Sequence, residues 1–575
     1  MKRLSLVPVL ALVWACSGES PDARVTNGSN GSTGSGTSTG TGGNASGTSN
    51  GTSNGTTNGN STTGGGGTGG GGPIHFDLDC AEPAVGSPTL RMLTRQELHN
   101  TLNDVFPEVA GQWQSTLPAN QTSSAGFDNS VTNSVGNQMA EKLLETAESV
   151  ANAVTGNALG SLLPCATSAP DRACAEQFVN KYGQRLFRRP LTTTEVERYL
   201  TFFDSALATT DFATAMKWVT VGLIQSPGSI YRSEIGTDMG DGSRQLDAYE
   251  LATELAYTYT GSAPSEELLN SAASGDLGDL VARAESLLET ERGKQALMRF
   301  FEGYLQYTGV ASTQRPNVPG FDAAKLDMLE ETRAFIDNVV FQARAGLREL
   351  LTAPTTNPST ALASYYGFPA PASDFASVER PAGQGVGILA QGAFLASHAN
   401  SLASSPTHRG LFPYMRLLCQ PKPELPPDVP QLSDPQPGIK TTRQRYEEAH
   451  AAVAVCANCH QKFDPIGFAF EHFDEGGRYR DQESGLPIDA TGAVLDASGG
   501  ELFAFDGQEQ LVAGLVEQSV IYQCFSAYLA TYAFGTAQSC LGPTKAGELE
   551  SGAIGIAEAF TALAAEPHFT RRTAQ

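Results

Sequence analysis

A long stretch near the N-terminus cannot contribute to any hydrophobic core. Residues 17–72 consist almost entirely of Gly, Ser, Thr and Asn, and they hold 20 of the 61 glycines of the chain. A segment without apolar side chains cannot offset the entropy cost of ordering by burial. We therefore expect a disordered tether here, and an ordered protein that begins near residue 73.

The segment before the tether has the form of an export signal. Two basic residues precede an apolar run over residues 4–14, which is too short to span a bilayer because about twenty residues are needed. Val13-Trp14-Ala15-Cys16 resembles a lipobox, in which the cysteine is acylated. This predicts a signal peptide over 1–15 and a lipid anchor on Cys16. The alternative is a plain secretory signal with a chance cysteine.

The predicted lipid anchor and the negative net charge indicate a membrane, and not nucleic acid, as a partner. A lipid on Cys16, followed by Ser17 rather than Asp, predicts a lipoprotein of the outer membrane or cell surface that faces the periplasm or the exterior. The chain has 37 Lys and Arg against 61 Asp and Glu, a formal charge of −24. Such a chain is a poor nucleic-acid binder, since that affinity comes largely from basic side chains on phosphates.

Helix signals dominate the rest of the chain. Met139, Leu143 and Val150 belong to an amphipathic stripe at spacings of three and four, whereas strand-like alternation is scarce and residues 488–492 fit one arm of a hairpin. Capping boxes predict three helix starts, at Thr94 with Glu97, at Thr192 with Glu195 and at Asp247 with Glu250. We predict a mainly α protein of several helical bundle domains with minor β-hairpin content.

Proline and glycine clusters suggest the domain boundaries. The clearest break is the Pro-rich segment 421–437, which cannot be helical. The predicted units are a signal peptide over 1–15, the lipidated Cys16 with its tether over 16–72, helical domains over 73–160 and 161–235, a central helical domain over 236–380, a domain with the Pro-rich segment and a Cys-x-x-Cys-His motif over 381–486, and a C-terminal helical domain over 487–575.

One motif carries recognisable chemistry. Cys456-Ala457-Asn458-Cys459-His460 is the attachment pattern of c-type haem. Two thiols three residues apart can form thioethers to one haem, and the adjacent His460 then serves as the proximal iron ligand. The alternatives are a dithiol redox pair, which normally needs a thioredoxin-like context, and half of a zinc site, for which no second Cys-x-x-Cys exists.

The sixth iron position stays open in the sequence. No methionine follows His460, and the nearest is Met415, upstream. His450 and His472 are the other leading candidates for the distal ligand, His568 and His408 are further alternatives, and the site can also be open. Two strong ligands favour an electron carrier, whereas an open position permits chemistry on a bound molecule.

A single haem motif limits the function. One haem c, held covalently, passes one electron at a time, so a redox partner protein is expected. The leading hypothesis is electron transfer at the cell envelope. The alternatives are a haem-dependent oxidoreductase on an unknown substrate, and a non-redox surface-binding protein in which the haem is structural. Whether the protein is an enzyme is left open, and no catalytic residue is assigned.

The remaining cysteines predict disulfides. Apart from Cys16 and the two motif thiols there are six, an even number in an exported chain. Short separations favour Cys165–Cys174 and Cys524–Cys540, which leaves Cys80–Cys419 by subtraction. The competing interpretation is reduced, buried thiols.

Four carboxylates follow the haem motif closely. They are Asp464, Glu471, Asp474 and Glu475. At this density in an acidic protein we expect them to be solvated rather than to form a catalytic constellation.

A collinear set of segments resembles one family. The segments lie at 93–97 and 100–104, 187–192, 226–227 and 231–234, 249–252, 405–410, the haem motif with 464–468 and 471–474, and finally 488–492 and 532–535. In this order they resemble the exported multi-domain proteins of planctomycetes and myxobacteria that are built from planctomycete-cytochrome-associated domains of unknown function. The resemblance implies an exported haem protein, and it supplies no substrate.

Overall fold

The computed structural model describes residues 76, 78, 85–88, 90–421, 423, 440–451, 454–496, 498–536 and 543–574. The signal peptide, Cys16 and the tether lie outside the described residues, as do Cys80, Cys540, most of the Pro-rich segment and the side chain of His450. The residues described all belong to one compact unit, Gly71–Gln575.

Helices make up most of the described chain. The α-helices are α1 Arg95–Val105, α2 Asn137–Ala153, α3 Leu159–Leu162, α4 Cys165–Ser168, α5 Arg172–Phe187, α6 Thr193–Leu207, α7 Phe212–Gln225, α8 Pro227–Ile230, α9 Ala248–Thr260, α10 Glu266–Ala273, α11 Leu280–Leu288, α12 Glu291–Leu305, α13 Phe321–Ile336, α14 Leu347–Thr352, α15 Thr360–Tyr366, α16 Gly392–Ser397, α17 Pro406–Phe412, α18 Thr442–Tyr446, α19 Ala454–Phe468, α20 Gly507–Leu515, α21 Ser519–Phe534, α22 Pro543–Glu550, α23 Ile556–Thr561 and α24 Pro567–Thr570. The shorter 3₁₀ and π segments are Pro107–Val109, Val154–Ala158, Tyr307–Ser312, Asp337–Gln342, Ile388–Ala390, Pro413–Leu417, Glu447–Ala451 and Ala562–Ala565.

The strands are short and form small antiparallel sheets. They are β1 Arg91–Met92, β2 Tyr231–Arg232, β3 Thr237–Asp238, β4 Ser243–Gln245, β5 Thr355–Thr356, β6 Val378–Glu379, β7 Gln482–Glu483, β8 Leu486–Pro487, β9 Thr491–Leu495, β10 Glu501–Asp506 and β11 Arg571–Thr573. The largest has the order β11-β4-β3, so the C-terminal strand returns to the middle of the chain. The mainly α prediction with minor hairpin content is confirmed.

The helix starts follow from the capping boxes. Thr94 accepts from the Glu97 amide at 3.0 Å while the Glu97 carboxylate accepts from the Thr94 amide at 2.7 Å, and α1 begins at the next residue. The same reciprocal bonds precede α6 and α9. All three predicted starts are confirmed, because each box satisfies amides that no helical carbonyl can reach.

Two hydrophobic cores organise the fold. The N-terminal core joins α1, α2, α5, α6 and α7, and its buried apolar residues run from Met92 to Ile230, with Tyr257 added from α9. The main core takes residues from Phe76 to Phe569 and includes side chains of α12, α17, α19 and α21. The haem motif therefore lies on a helix of the main core. None of the described helices is both long and apolar enough to cross a membrane.

The disulfides confirm one predicted pair and overturn two. Cys165 and Cys174 are bonded, as predicted. Cys419 is bonded to Cys524 across 105 residues, so the predictions Cys524–Cys540 and Cys80–Cys419 are wrong. Cys524 faces inward from α21, which packs on the segment Pro413–Leu417 just before Cys419. Tertiary packing, and not sequence separation, decides this pairing.

Candidate functional site

The haem motif lies on the helix α19. Cys456 and Cys459 are separated by three residues, which places them on one face of a helix. Both side chains are half-buried, and neither is in a disulfide. His460 follows on the same helix.

A buried carboxylate holds the imidazole of His460. The Nδ1 atom of His460 lies 2.9 Å from Oδ2 of Asp464, one helical turn further on. The Asp464 side chain is 7% exposed. Because an ionised carboxylate only accepts hydrogen bonds, Nδ1 is the protonated nitrogen. A metal would therefore be bound through Nε2.

A second helix supports that carboxylate. Thr407 on α17 donates from its hydroxyl to Oδ1 of Asp464 at 2.7 Å. The same hydroxyl lies 3.4 Å from Nδ1 of His460. Residues from two helices thus fix the orientation of one imidazole.

Glycines allow the two helices to approach this closely. A Cβ on Gly410 of α17 would overlap the carbonyl of Phe463, and a Cβ on Gly467 of α19 would overlap the carbonyl of Pro406. The backbones are therefore in direct contact at the crossing. This contact brings Thr407 within reach of Asp464.

Aromatic side chains form an apolar wall beside the motif. The ring of Phe463 lies 5.1 Å from that of His460 and 5.9 Å from that of Tyr414. Cys459 packs against the main core. Burial raises the pKa of Tyr414, and the charge of Cys459 raises it further.

Arg409 anchors the turn that follows α19. Its guanidinium is fully buried. Nη1 donates to the carbonyls of Phe470 and Phe473 at 3.0 and 2.6 Å, and Nη2 donates to those of Leu395 and Asp474 at 3.1 and 2.7 Å. One side chain thereby satisfies three carbonyls of this turn and a fourth on α16.

The four carboxylates after the motif are buried, so the expectation that they are solvated is wrong. Asp464, Glu471, Asp474 and Glu475 are all less than a tenth exposed. Glu471 accepts from the Ser404 hydroxyl at 2.9 Å and lies 3.5 Å from a nitrogen of Arg480. Asp474 accepts from the amide of Gly476. Charge density along a sequence does not reveal such partners.

Burial raises the pKa of two of these acids, Glu475 and Glu471. Glu471 is surrounded by protein, and burial raises its pKa to about 7. Arg480 and Arg409 lower it, but they do not offset the loss of water. Near neutral pH this carboxyl therefore exchanges a proton.

The structure describes the surroundings of two candidates for the distal ligand, His472 and Met415. Nδ1 of His472 lies 2.9 Å from the carbonyl of Arg480, and its ring stacks on Tyr479 at 5.3 Å. Met415 packs against the main core from the segment Pro413–Leu417. The side chain of His450 lies outside the described residues. The distal ligand stays a prediction.

Sequence reasoning identified part of this site. The spacing of Cys456, Cys459 and His460 gave the motif, and Asp464 could have been added because residues four apart meet on a helix. Thr407 comes from a segment 53 residues before His460, so no local spacing points to it. Within the described part of the chain, no group of three or more His, Cys, Asp or Glu side chains is arranged to hold a metal ion.

Comparison with known families assigns four domains. The matches are to PSD3, a protein of unknown function (DUF1587), over 91–156, to PSD5 (DUF1595) over 174–234, to PSD4 (DUF1592) over 246–368, and to PSCyt3 (DUF1588) over 385–483. These are domains of the planctomycete cytochrome-associated type. The last match spans both α17 and α19. Searches of curated proteins and of solved structures found no match.

Proposed function

We propose, from this succession of cytochrome-associated domains and from the surroundings of His460, that the protein is an exported monohaem c-type cytochrome that transfers electrons at the cell envelope. Cys456 and Cys459 carry the haem, and His460 is the proximal ligand. The lipid on Cys16 holds the protein at the membrane. A redox partner protein accepts or supplies the electron.

One observation carries the proposal more than any other. Nδ1 of His460 is committed to a buried carboxylate at 2.9 Å. Ligating histidines commonly donate their second nitrogen to such an acceptor, which fixes the tautomer and raises ligand basicity. A motif matched by chance has no reason to be followed by a buried, hydrogen-bonded Asp464 at the correct turn of the helix.

The residues around the motif suit this role. A haem bound here supplies a one-electron redox couple. The chain contributes thiols on one helical face, an oriented imidazole, and an apolar wall of Phe463 and Tyr414 that limits access of water. The backbone contact between α17 and α19 keeps these groups in fixed positions. Electron transfer is favoured when the groups around the haem move little.

The test is haem attachment in matched cysteine variants. The full chain is produced in cells with the c-type attachment machinery, and a reduced-minus-oxidised spectrum is recorded. We expect an α band of c-type haem in the parent that persists on denaturation, and its complete loss in C456S/C459S.

The double variant C165S/C174S is the matched control, since it also removes two cysteines but leaves the motif intact. It should keep the band. Absence of the band from the parent would contradict the proposal.

The same material distinguishes an electron carrier from an oxidoreductase. A carrier with two strong ligands should not bind carbon monoxide at low concentration. Rapid binding would indicate an open sixth position, and would favour the oxidoreductase with an unknown substrate.

A further inference from the structure

The carboxylate of Asp464 is held by neighbours on two helices. It is buried, it is one helical turn from His460, and its two oxygens have different partners: Oδ2 meets Nδ1 of His460 at 2.9 Å and Oδ1 accepts from Thr407 at 2.7 Å. Because Oδ1 is held by a residue of another helix, Oδ2 cannot swing away from the imidazole without breaking the hydrogen bond from Thr407.

The charge of this group matters as much as its position. A hydrogen bond from an imidazole to a carboxylate is roughly twice as strong as one to a neutral carbonyl. It gives the ring partial anionic character and makes Nε2 a more basic ligand. A more basic ligand, with a negative charge behind it, stabilises the more positive oxidation state of a bound iron.

We infer that Asp464 is a positioning residue that sets the redox potential of the bound haem, and that Thr407 acts through Asp464 by fixing its orientation. This inference rests on the proposed function, since it requires haem at Cys456 and Cys459. It goes beyond that function by assigning the residues that decide at which potential the protein exchanges its electron.

The structure orders the two effects. Asp464 contacts the imidazole through the shorter contact and carries the charge, whereas Thr407 is neutral and lies 3.4 Å from Nδ1. Removing the charge should therefore shift the equilibrium between the oxidised and the reduced haem more than removing the hydroxyl. Both changes act in the same direction, because each weakens the bond that stabilises the oxidised state.

The variants are D464N, which keeps the shape and an acceptor oxygen but removes the charge, and T407V, which keeps the shape but removes the hydroxyl. D374N is the matched control, because Asp374 is an exposed carboxylate that accepts from the Thr360 amide. Haem content is measured first, by spectrum after denaturation. The ratio of oxidised to reduced protein is then measured at fixed potentials in the full chain.

We expect D464N to lower that ratio about tenfold at a given potential, which for a one-electron couple is a rise in midpoint potential of about 59 mV. T407V should lower it by about threefold, and D374N should leave it as in the parent. If D464N does not accumulate, T407V decides alone.

The possible failures are distinguishable. A parent without attached haem would overturn the proposed function, and this inference with it. Attached haem with the same midpoint potential in the parent, D464N and T407V would overturn this inference only. So would a shift in D374N as large as that in D464N, because a general charge effect would then explain it.

Discussion

At the scale of residues, the region after the haem motif is defined by buried acids with specific partners. Asp464 is hydrogen-bonded to His460, and Asp474 accepts hydrogen bonds from the amides of Gly476 and Arg478. Glu471 differs, because its surroundings raise its pKa to about 7. The groups that face it are Ser404, Arg409, Arg480 and Glu483. This makes Glu471 a source of pH dependence.

The stability of the protein should fall through Glu471 as the pH rises from about 4.5 to 7. In this window the folded protein keeps a proton that the unfolded chain has released, so the unfolded state binds fewer protons and the free energy of unfolding decreases with pH. Below the window both states are protonated and the effect vanishes. The free energy of unfolding falls by about 3 kcal/mol, which corresponds to the rise of the pKa from 4.5 to about 7. Urea unfolding of the parent and of E471Q at pH 5 and pH 8 measures it.

The E471Q variant should lose less stability than the parent between these two values. D374N is the control: a hydrogen bond from Thr360 lowers the pKa of that exposed carboxyl, so its contribution lies below the window. Equal slopes in the parent and in E471Q would contradict the account.

Residues of the site differ in how far the sequence predicts them. Cys456, Cys459 and His460 follow from a spacing that matches the attachment pattern of c-type haem. The burial of Glu471 does not, because it depends on Ser404 and Arg480, which reach it from different segments. A high density of charged residues in a sequence indicates a solvated surface unless the fold supplies such partners.

At the scale of elements, the crossing of α17 and α19 is the feature on which the site depends. The helices touch through Gly410 and Gly467. Neither glycine has a positive φ, so their role is the close approach of the two backbones and not a turn. The bond between Thr407 and Asp464 exists only at this separation.

G410A should destabilise the protein by about 2 kcal/mol, the usual scale for overpacking a tight contact. The added methyl meets the backbone carbonyl of Phe463, which cannot move aside as a flexible side chain could. Denaturant unfolding measures the loss, and the haem spectrum should show reduced attachment.

G547A provides the matched control, since Gly547 lies on α22 with nothing within 4 Å of an added Cβ. An alanine there should leave stability unchanged or raise it by up to about 1 kcal/mol. If G410A behaved like G547A, the helices would not be in backbone contact.

Element starts were predictable where a local rule decides them. The boxes at Thr94, Thr192 and Asp247 each gave the first residue of a helix, because the amides of a first turn are satisfied by side chains close in sequence. The crossing was not predictable in the same way. Gly410 and Gly467 read as ordinary helix residues until their partners across the interface are known.

At the scale of the whole molecule, the disulfide between Cys419 and Cys524 links the segment before α19 to α21. It closes a loop of 105 residues that contains the entire haem motif. The bond between Cys165 and Cys174 closes only nine. Loop closure in the unfolded chain costs more entropy for the longer loop.

Removing the long-range bond should therefore cost more stability. In the chain-entropy model C419A/C524A loses about 5 kcal/mol and C165A/C174A about 3 kcal/mol. Denaturant unfolding of the two double variants under identical non-reducing conditions gives the comparison. A larger loss in C165A/C174A would contradict the assignment of the long-range bond as the main covalent constraint.

The long-range pair also shows why sequence separation could not predict the partner of Cys524. Cys524 is nearer in sequence to Cys540, yet it is buried on the face of α21 that packs against Pro413–Leu417. Only the nine-residue separation of Cys165 and Cys174 is short enough for chain proximity to choose the partner.

The account as a whole depends on covalent haem at the start of α19. Mass analysis of the peptide that contains Cys456 and Cys459, taken from protein isolated from the cell envelope, tests this most directly. The account predicts one haem joined to both sulfurs of that peptide. Two free thiols, or a disulfide between them, would contradict it.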